Sequence, residues 1–101
     1  MMIYTLCIHM QNNEGALERI LGRLRQRSFS LCSMQAGIGN TERDMVAEIT
    51  VRSDRSAEYA MKQIDKLYDV DKVQLRAQEN EEESKNVFRP MSNTVEASLP
   101  L

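Results

Sequence analysis

Residues 3–24, IYTLCIHMQNNEGALERILGRL, change hydrophobic period halfway along, and that change decides the fold. Over residues 3–10, Leu6, Ile8 and Met10 fall on one face of an extended chain, with Thr5, Cys7 and His9 on the other, because side chains alternate across a strand. Gln11, Asn12, Asn13 and Glu14 then form a polar turn, with Asn13 placed to cap a helix and Glu14 in its first turn. From there Leu17, Ile20, Leu21 and Leu24 recur at helical spacing, while Glu18, Arg19, Arg23 and Arg27 take the outer side. The pattern predicts an amphipathic helix over about residues 14–27.

Downstream the two periods alternate again. Phe29–Ile38 returns to strand character and breaks at Gly37, Gly39 and Asn40. Residues 44–52, DMVAEITVR, set Met45, Ala47, Ile49 and Val51 against Val46, Glu48, Thr50 and Arg52, the clearest strand signal in the chain. Ser53 and Asp54 are placed to cap a second helix with the apolar stripe Ala57, Ala60, Met61, Ile64 and Leu67. A short strand follows over Lys72–Ala77, through Val73 and Leu75. The order βαββαβ with right-handed crossovers predicts an α+β, ferredoxin-like fold, an antiparallel four-stranded sheet with two helices on one face. Thr5, Cys7, His9, Val46 and Glu48 belong to the other face, expected to be either solvated or an oligomer contact. A domain this small buries only about 60–65% of its unfolded surface, so covering its edge strands in a dimer would help it.

The chain has 101 residues, 42% hydrophobic and 28% charged, the make-up of one soluble globular domain. Its formal charge of −2 is unevenly placed. Residues 1–77 carry 11 basic and 10 acidic side chains, whereas residues 78–101 carry two basic and five acidic ones and both prolines. The division predicts a folded domain over 1–77 and an acidic, disordered tail over 78–101. Scattered Val87, Phe88, Met91, Val95 and Leu99 could still dock on a partner.

Several function classes fail on their residues. A nearly neutral domain offers no global pull towards nucleic acid, and only Tyr4 could stack a base on the central strands. No apolar run approaches the roughly 20 residues of a membrane span, and MMIYTLCIHM lacks the basic start of a signal peptide. Unpaired Cys7 and Cys32 read as small hydrophobes with reduced thiols, which predicts a cytoplasmic protein. A soft-metal site needs paired cysteines where the first loop has Gln11, Asn12, Asn13 and Glu14. His9 is the only histidine and has no carboxylate motif beside it, so no catalytic or metal-ligating residue is assigned. The row Arg19, Arg23 and Arg27 reads as a solvated helix face.

What remains is the first turn, residues 11–17, QNNEGAL. A helix N-terminus presents free N–H groups suited to a small carboxylate, Asn12 and Asn13 supply amides, and Gly15 admits close approach. The alternative is purely structural, with Asn13 capping the helix and Gly15 easing the turn.

The βαββαβ order with Asn12-x-x-Gly15-x-Leu17-x-Arg19 resembles the ACT domain, an amino-acid-sensing regulatory module. The stretches 27–34, RSFSLCSM, and 63–73, QIDKLYDVDKV, resemble the small regulatory subunits of acetolactate synthase, and the Cys-Ser-Met run is similar to the isozyme II type. The resemblance covers about residues 3–77. It implies a chain that does no chemistry itself but binds and activates a large catalytic subunit carrying thiamine diphosphate, magnesium and FAD, in branched-chain amino acid biosynthesis. It also implies a homodimer through ACT domains. The family's effector site, for valine in many members, joins this turn of one chain to the second strand of the other. Asn12, Gly15 and Ala16 would then bind effector, with Asn13 beside them, and Ser30 stands where valine-sensitive members usually have Asn. A stand-alone ACT-domain amino-acid sensor for another enzyme or regulator is the alternative.

Overall fold

The computed structural model describes residues 1–80. Elements follow the expected order, β1 (Met2–Gln11), α1 (Ala16–Gln26), β2 (Ser30–Ile38), β3 (Asp44–Ser53), α2 (Ala57–Asp65) and β4 (Val70–Asn80). The strands form one antiparallel sheet in the order β2-β3-β1-β4. The central pair is in unbroken register, from Met2 opposite Ser53 to Gln11 opposite Asp44. Alternation does what it predicted. Tyr4, Leu6, Ile8 and Met10 of β1 meet Ala47, Ile49 and Val51 of β3 in one core, capped by Ile20 and Leu24 of α1 and Ala57, Ala60 and Ile64 of α2. Both helices therefore cover the same sheet face. Ile20 and Ile64 are fully buried, each such side chain contributing about 1.5–3 kcal/mol by leaving water.

Phe29, just before β2, lies edge-on to Tyr4 and stacks on Tyr59. The Tyr4 hydroxyl reaches the carbonyls of Arg55 and Ser56 at 2.9 and 3.1 Å. Burial pushes its pKa up to about 12, because the phenolate is poorly solvated there.

The element ends differ from the sequence reading in instructive ways. α1 begins at Ala16, not near residue 14, and its N-cap is Gly15 at φ 79°, with no side-chain cap. Asn13 does not cap the helix with its side chain; only its backbone carbonyl takes part, accepting from Ala16 N–H at 3.1 Å. α2 is capped by Ser56, whose Oγ accepts from Tyr59 N–H at 3.1 Å, rather than by Ser53 or Asp54. Ser53 is still in β3, where its buried hydroxyl donates to the Ser28 carbonyl and accepts from Arg55 N–H. β4 starts at Val70 and runs to Asn80, so residues 78–80, assigned to the tail by composition, lie in the sheet. Residues 81–101, the rest of that expected tail, lie outside the described residues.

The two sheet edges are unlike. β2, SLCSMQAGI, holds no charged residue in nine positions. Leu31, Met34 and Ile38 pair with the core-facing Val51, Ile49 and Met45, so they point to the helix side, yet they are 37%, 38% and 64% exposed. The helices leave that side of β2 uncovered. β4 carries Asp71, Lys72, Arg76 and Glu79, charges of the kind that protect an edge strand from further pairing; register irregularities occur in both edges, two against β1 in β4 and one at Leu31/Ser33 in β2.

Candidate functional site, the turn between β1 and α1

The turn is pinned at each step. Gln11 N–H donates to the Asp69 carbonyl at 2.8 Å and Asn12 N–H to the Arg43 carbonyl at 2.7 Å. Gly15 then takes the left-handed backbone conformation that reverses the chain into α1, a conformation L-residues with a Cβ resist. A Cβ at Gly15 would sit 3.0 Å from Arg19 Nη1, so glycine also admits the guanidinium. Close approach was expected at Gly15, and the group that approaches is Arg19.

Arg19 reaches back under the turn to Asp69, in the loop between α2 and β4. Its Nε donates to Oδ2 at 2.7 Å and its Nη2 to Oδ1 at 3.1 Å, the two-pronged geometry that suits guanidinium and carboxylate. Nη2 also donates to the Glu14 carbonyl at 3.1 Å, and the ring of Tyr68 lies 5.1 Å from the guanidinium carbon. Asn13 Nδ2 donates to Asp69 Oδ1 at 2.9 Å. Asp69 is fully buried, and the Arg19 hydrogen bond, reinforced by Asn13, holds its carboxyl below the usual carboxylate range despite that burial. The same bond raises the affinity of Arg19 for its proton.

The candidate residues therefore play different parts. Asn12 faces solvent and its Nδ2 makes one bond, to the Glu42 carbonyl at 3.1 Å. Together with Gln11, Asn13, Glu42, Arg43 and Asp44 it lines a shallow groove beside the turn. Asn13 Nδ2 donates chiefly to Asp69, with a longer contact of 3.4 Å to Gln11 Oε1. Ala16 is buried at the start of α1. Ser30 is not near any of them. It sits opposite Arg52, which sits opposite Ile3, and Ile3 is eight residues from Gln11 along β1, or about 26 Å at strand rise. Within one chain the turn and Ser30 occupy opposite ends of the sheet.

Arg19 and Asp69 were missed as parts of this site. Arg19 read as one of a solvated row, and Asp69 lies 50 residues away in sequence; the available signal was an acidic residue set between Tyr68 and Val70 at a helix-to-strand junction. The open sheet face holds what was expected of it, half-buried Thr5 and His9 with Val46 and Glu48, and Thr5 and Thr50 share a hydrogen bond at 2.8 Å. Cys7 is buried there beneath Arg76, whose Nη2 lies 3.4 Å from Sγ and 3.2 Å from Glu48 Oε2. Cys32 is half-buried rather than core. Among the described residues no cluster of three or more His, Cys, Asp or Glu could hold a metal ion, and no helix is long and apolar enough to cross a membrane.

A family model for the ACT domain matches residues 12–73. The small subunit of acetolactate synthase isozyme 2 from Escherichia coli is 34% identical over 70 residues, which are 69% of this chain and 80% of that one. A probable acetolactate synthase small subunit from Archaeoglobus fulgidus is 33% identical over 75 residues, 71% of this chain. This chain spans 46% of the archaeal protein's length. In structure, the acetolactate synthase small subunit of Thermotoga maritima superposes with a TM-score of 0.66 at 24% identity, over 72% of this chain and 46% of that one. The chain thus belongs to the ACT-domain family, among relatives named as small subunits of acetolactate synthase.

Proposed function

We propose that this chain is the regulatory small subunit of an acetolactate synthase, non-catalytic by itself, which binds the large subunit and raises its activity in the cytoplasm. The large chain supplies thiamine diphosphate, magnesium and FAD and carries out the condensation of 2-oxo acids that leads to branched-chain amino acids. A subunit that binds the active arrangement of the catalytic chain more tightly shifts the population towards it, and an amino acid that weakens this preference inhibits by the reciprocal coupling.

One observation carries the regulatory part. The site residues are split between the two ends of the sheet, and the strand bearing Ser30 is an uncharged edge with an exposed apolar side. A two-fold, antiparallel β2–β2 pairing places the first residue of one strand beside the last of the other. Ser30 of the partner subunit then arrives at the Ile38 end, where Ile38 lies opposite Met45 and Met45 opposite Met10, at the foot of the turn. The homodimer supported by the bare edge is thus also the arrangement that completes an effector site from Asn12, Gly15 and Ala16 of one copy and Ser30 of the other. Valine, leucine and isoleucine are the ligands to try.

The test is acetolactate formation by the large subunit with and without this chain, each assay repeated with valine. Stimulation is expected. Absence of stimulation and of co-purification with the large subunit would overturn the reading, and amino-acid binding in that event would favour a sensor serving another protein.

A further inference from the structure

We propose that Asp69 is the positioning residue of the effector turn, its buried carboxylate holding Asn13 and Arg19 so that Asn12, and not Asn13, is the amide available to a ligand. The inference rests on the effector reading above and adds the residue that shapes the site. Four hydrogen bonds converge on Asp69. Its backbone carbonyl takes the N–H of Gln11, Oδ1 takes Asn13 Nδ2 and Arg19 Nη2, and Oδ2 takes Arg19 Nε. One residue from the loop before β4 therefore holds the end of β1 through its backbone carbonyl and the middle of the turn and the first turn of α1 through its carboxylate.

The commitment is asymmetric between the two asparagines. Swinging Asn13 towards a ligand would strip one of three side-chain donors from the carboxylate of Asp69, which is fully buried while Asn13 covers it. Asn12 bonds a backbone carbonyl in the exposed loop before β3, a bond water replaces at little cost. The charged groups facing Asp69 are few. Arg19 of α1 is in contact, with Glu18 near Arg19 rather than Asp69, and the Tyr68 ring backs the guanidinium.

Amide hydrogen exchange on the full chain, read by NMR, tests this without any ligand. In Asp69→Asn the protection of the Gln11 and Ala16 amides is expected to fall about tenfold more than that of Leu6 and Ile8 in β1, the loss of one charge-assisted hydrogen bond. An equal fall at all four would make Asp69 a general stabiliser and overturn the proposal. Should that variant not fold, Asn13→Asp changes an exposed side chain and sets a second carboxylate against Asp69. Protection of Gln11 and Ala16 should then drop as rising pH removes the proton shared by the two carboxylates, while wild type and Asn12→Asp stay flat. A flat profile in Asn13→Asp would also overturn it. The effector reading fails separately, if valine, leucine and isoleucine all leave the turn's amide shifts of the wild type unmoved.

Discussion

Gly15 and Gly22 lie seven residues apart in and before the same helix, and replacing each with alanine should have opposite effects. Gly15 has φ 79°, which costs an L-residue about 1–2 kcal/mol. Removing a glycine recovers about 0.4–1 kcal/mol from the unfolded chain, so the backbone alone leaves a net loss of about 1 kcal/mol. The new Cβ also meets Arg19 Nη1 at 3.0 Å and forces it to move. Nη1 is not among the atoms that bond Asp69, which are Nε and Nη2, so the pair is strained rather than broken. A total of about 1–2 kcal/mol corresponds to a melting point lowered by roughly 5–15 °C for a domain of this size. Gly22 is inside α1, and a Cβ there meets nothing within 4 Å. Alanine at that position should stabilise by about 0.5–1 kcal/mol. Thermal unfolding followed by circular dichroism at one protein concentration measures both, since a dimer's melting point depends on concentration. Shifts of the same sign, or a Gly15→Ala protein as stable as wild type, would refute the claim that the turn needs a left-handed residue.

Three further outcomes are expected. Arg19→Met should reverse the pH dependence that Asp69 contributes. In wild type its lowered pKa adds stability above the unfolded carboxyl range, and that stability is lost as pH falls through the folded pKa; without Arg19 burial dominates and raises the pKa, so the variant should instead gain stability as pH falls towards the unfolded carboxyl range in chemical denaturation. Ser28→Gly should stabilise by about 0.5–1 kcal/mol, because Ser28 holds φ 71° at the end of α1, where Phe29 N–H closes on the Leu24 carbonyl, and its contact with Ser53 uses only the backbone carbonyl. If the proposed β2 contact joins two copies, Ile38→Lys, at a position 64% exposed, should leave the fold intact and shift sedimentation to the monomer; a variant as dimeric as wild type would place the contact away from β2.

Hydrophobic period was enough for the layers. Met45, Ala47, Ile49 and Val51 turned inward as their alternation required, and the order of elements left a single compact topology. Ends were harder, because the segment Ser53-Asp54-Arg55-Ser56 offers three capping residues and only the register of β3 decides that Ser53 stays in the sheet while Ser56 caps. The turn that holds the candidate residues was legible from its chemistry, with Gly15 at its reversal. The rest depended on a partnership between Arg19 and Asp69 that no local pattern encodes. A buried ion pair joining two elements leaves no periodic trace, and an arginine on a helix face reads as solvated until its partner is found. Ser30 shows the converse, a residue brought in by resemblance whose distance from the turn only the sheet register reveals.

The contrast between the two sheet edges bears on how far the proposed assembly would proceed. Pairing through β2 uses one edge of each copy and joins two four-stranded sheets into one. Both outer borders of such a joined sheet would be β4, with its charges. Because the same surface serves both copies, the contact closes on itself. In the proposed dimer a third copy would find no uncharged strand to extend, so the edge that would invite the first association would also end it at two.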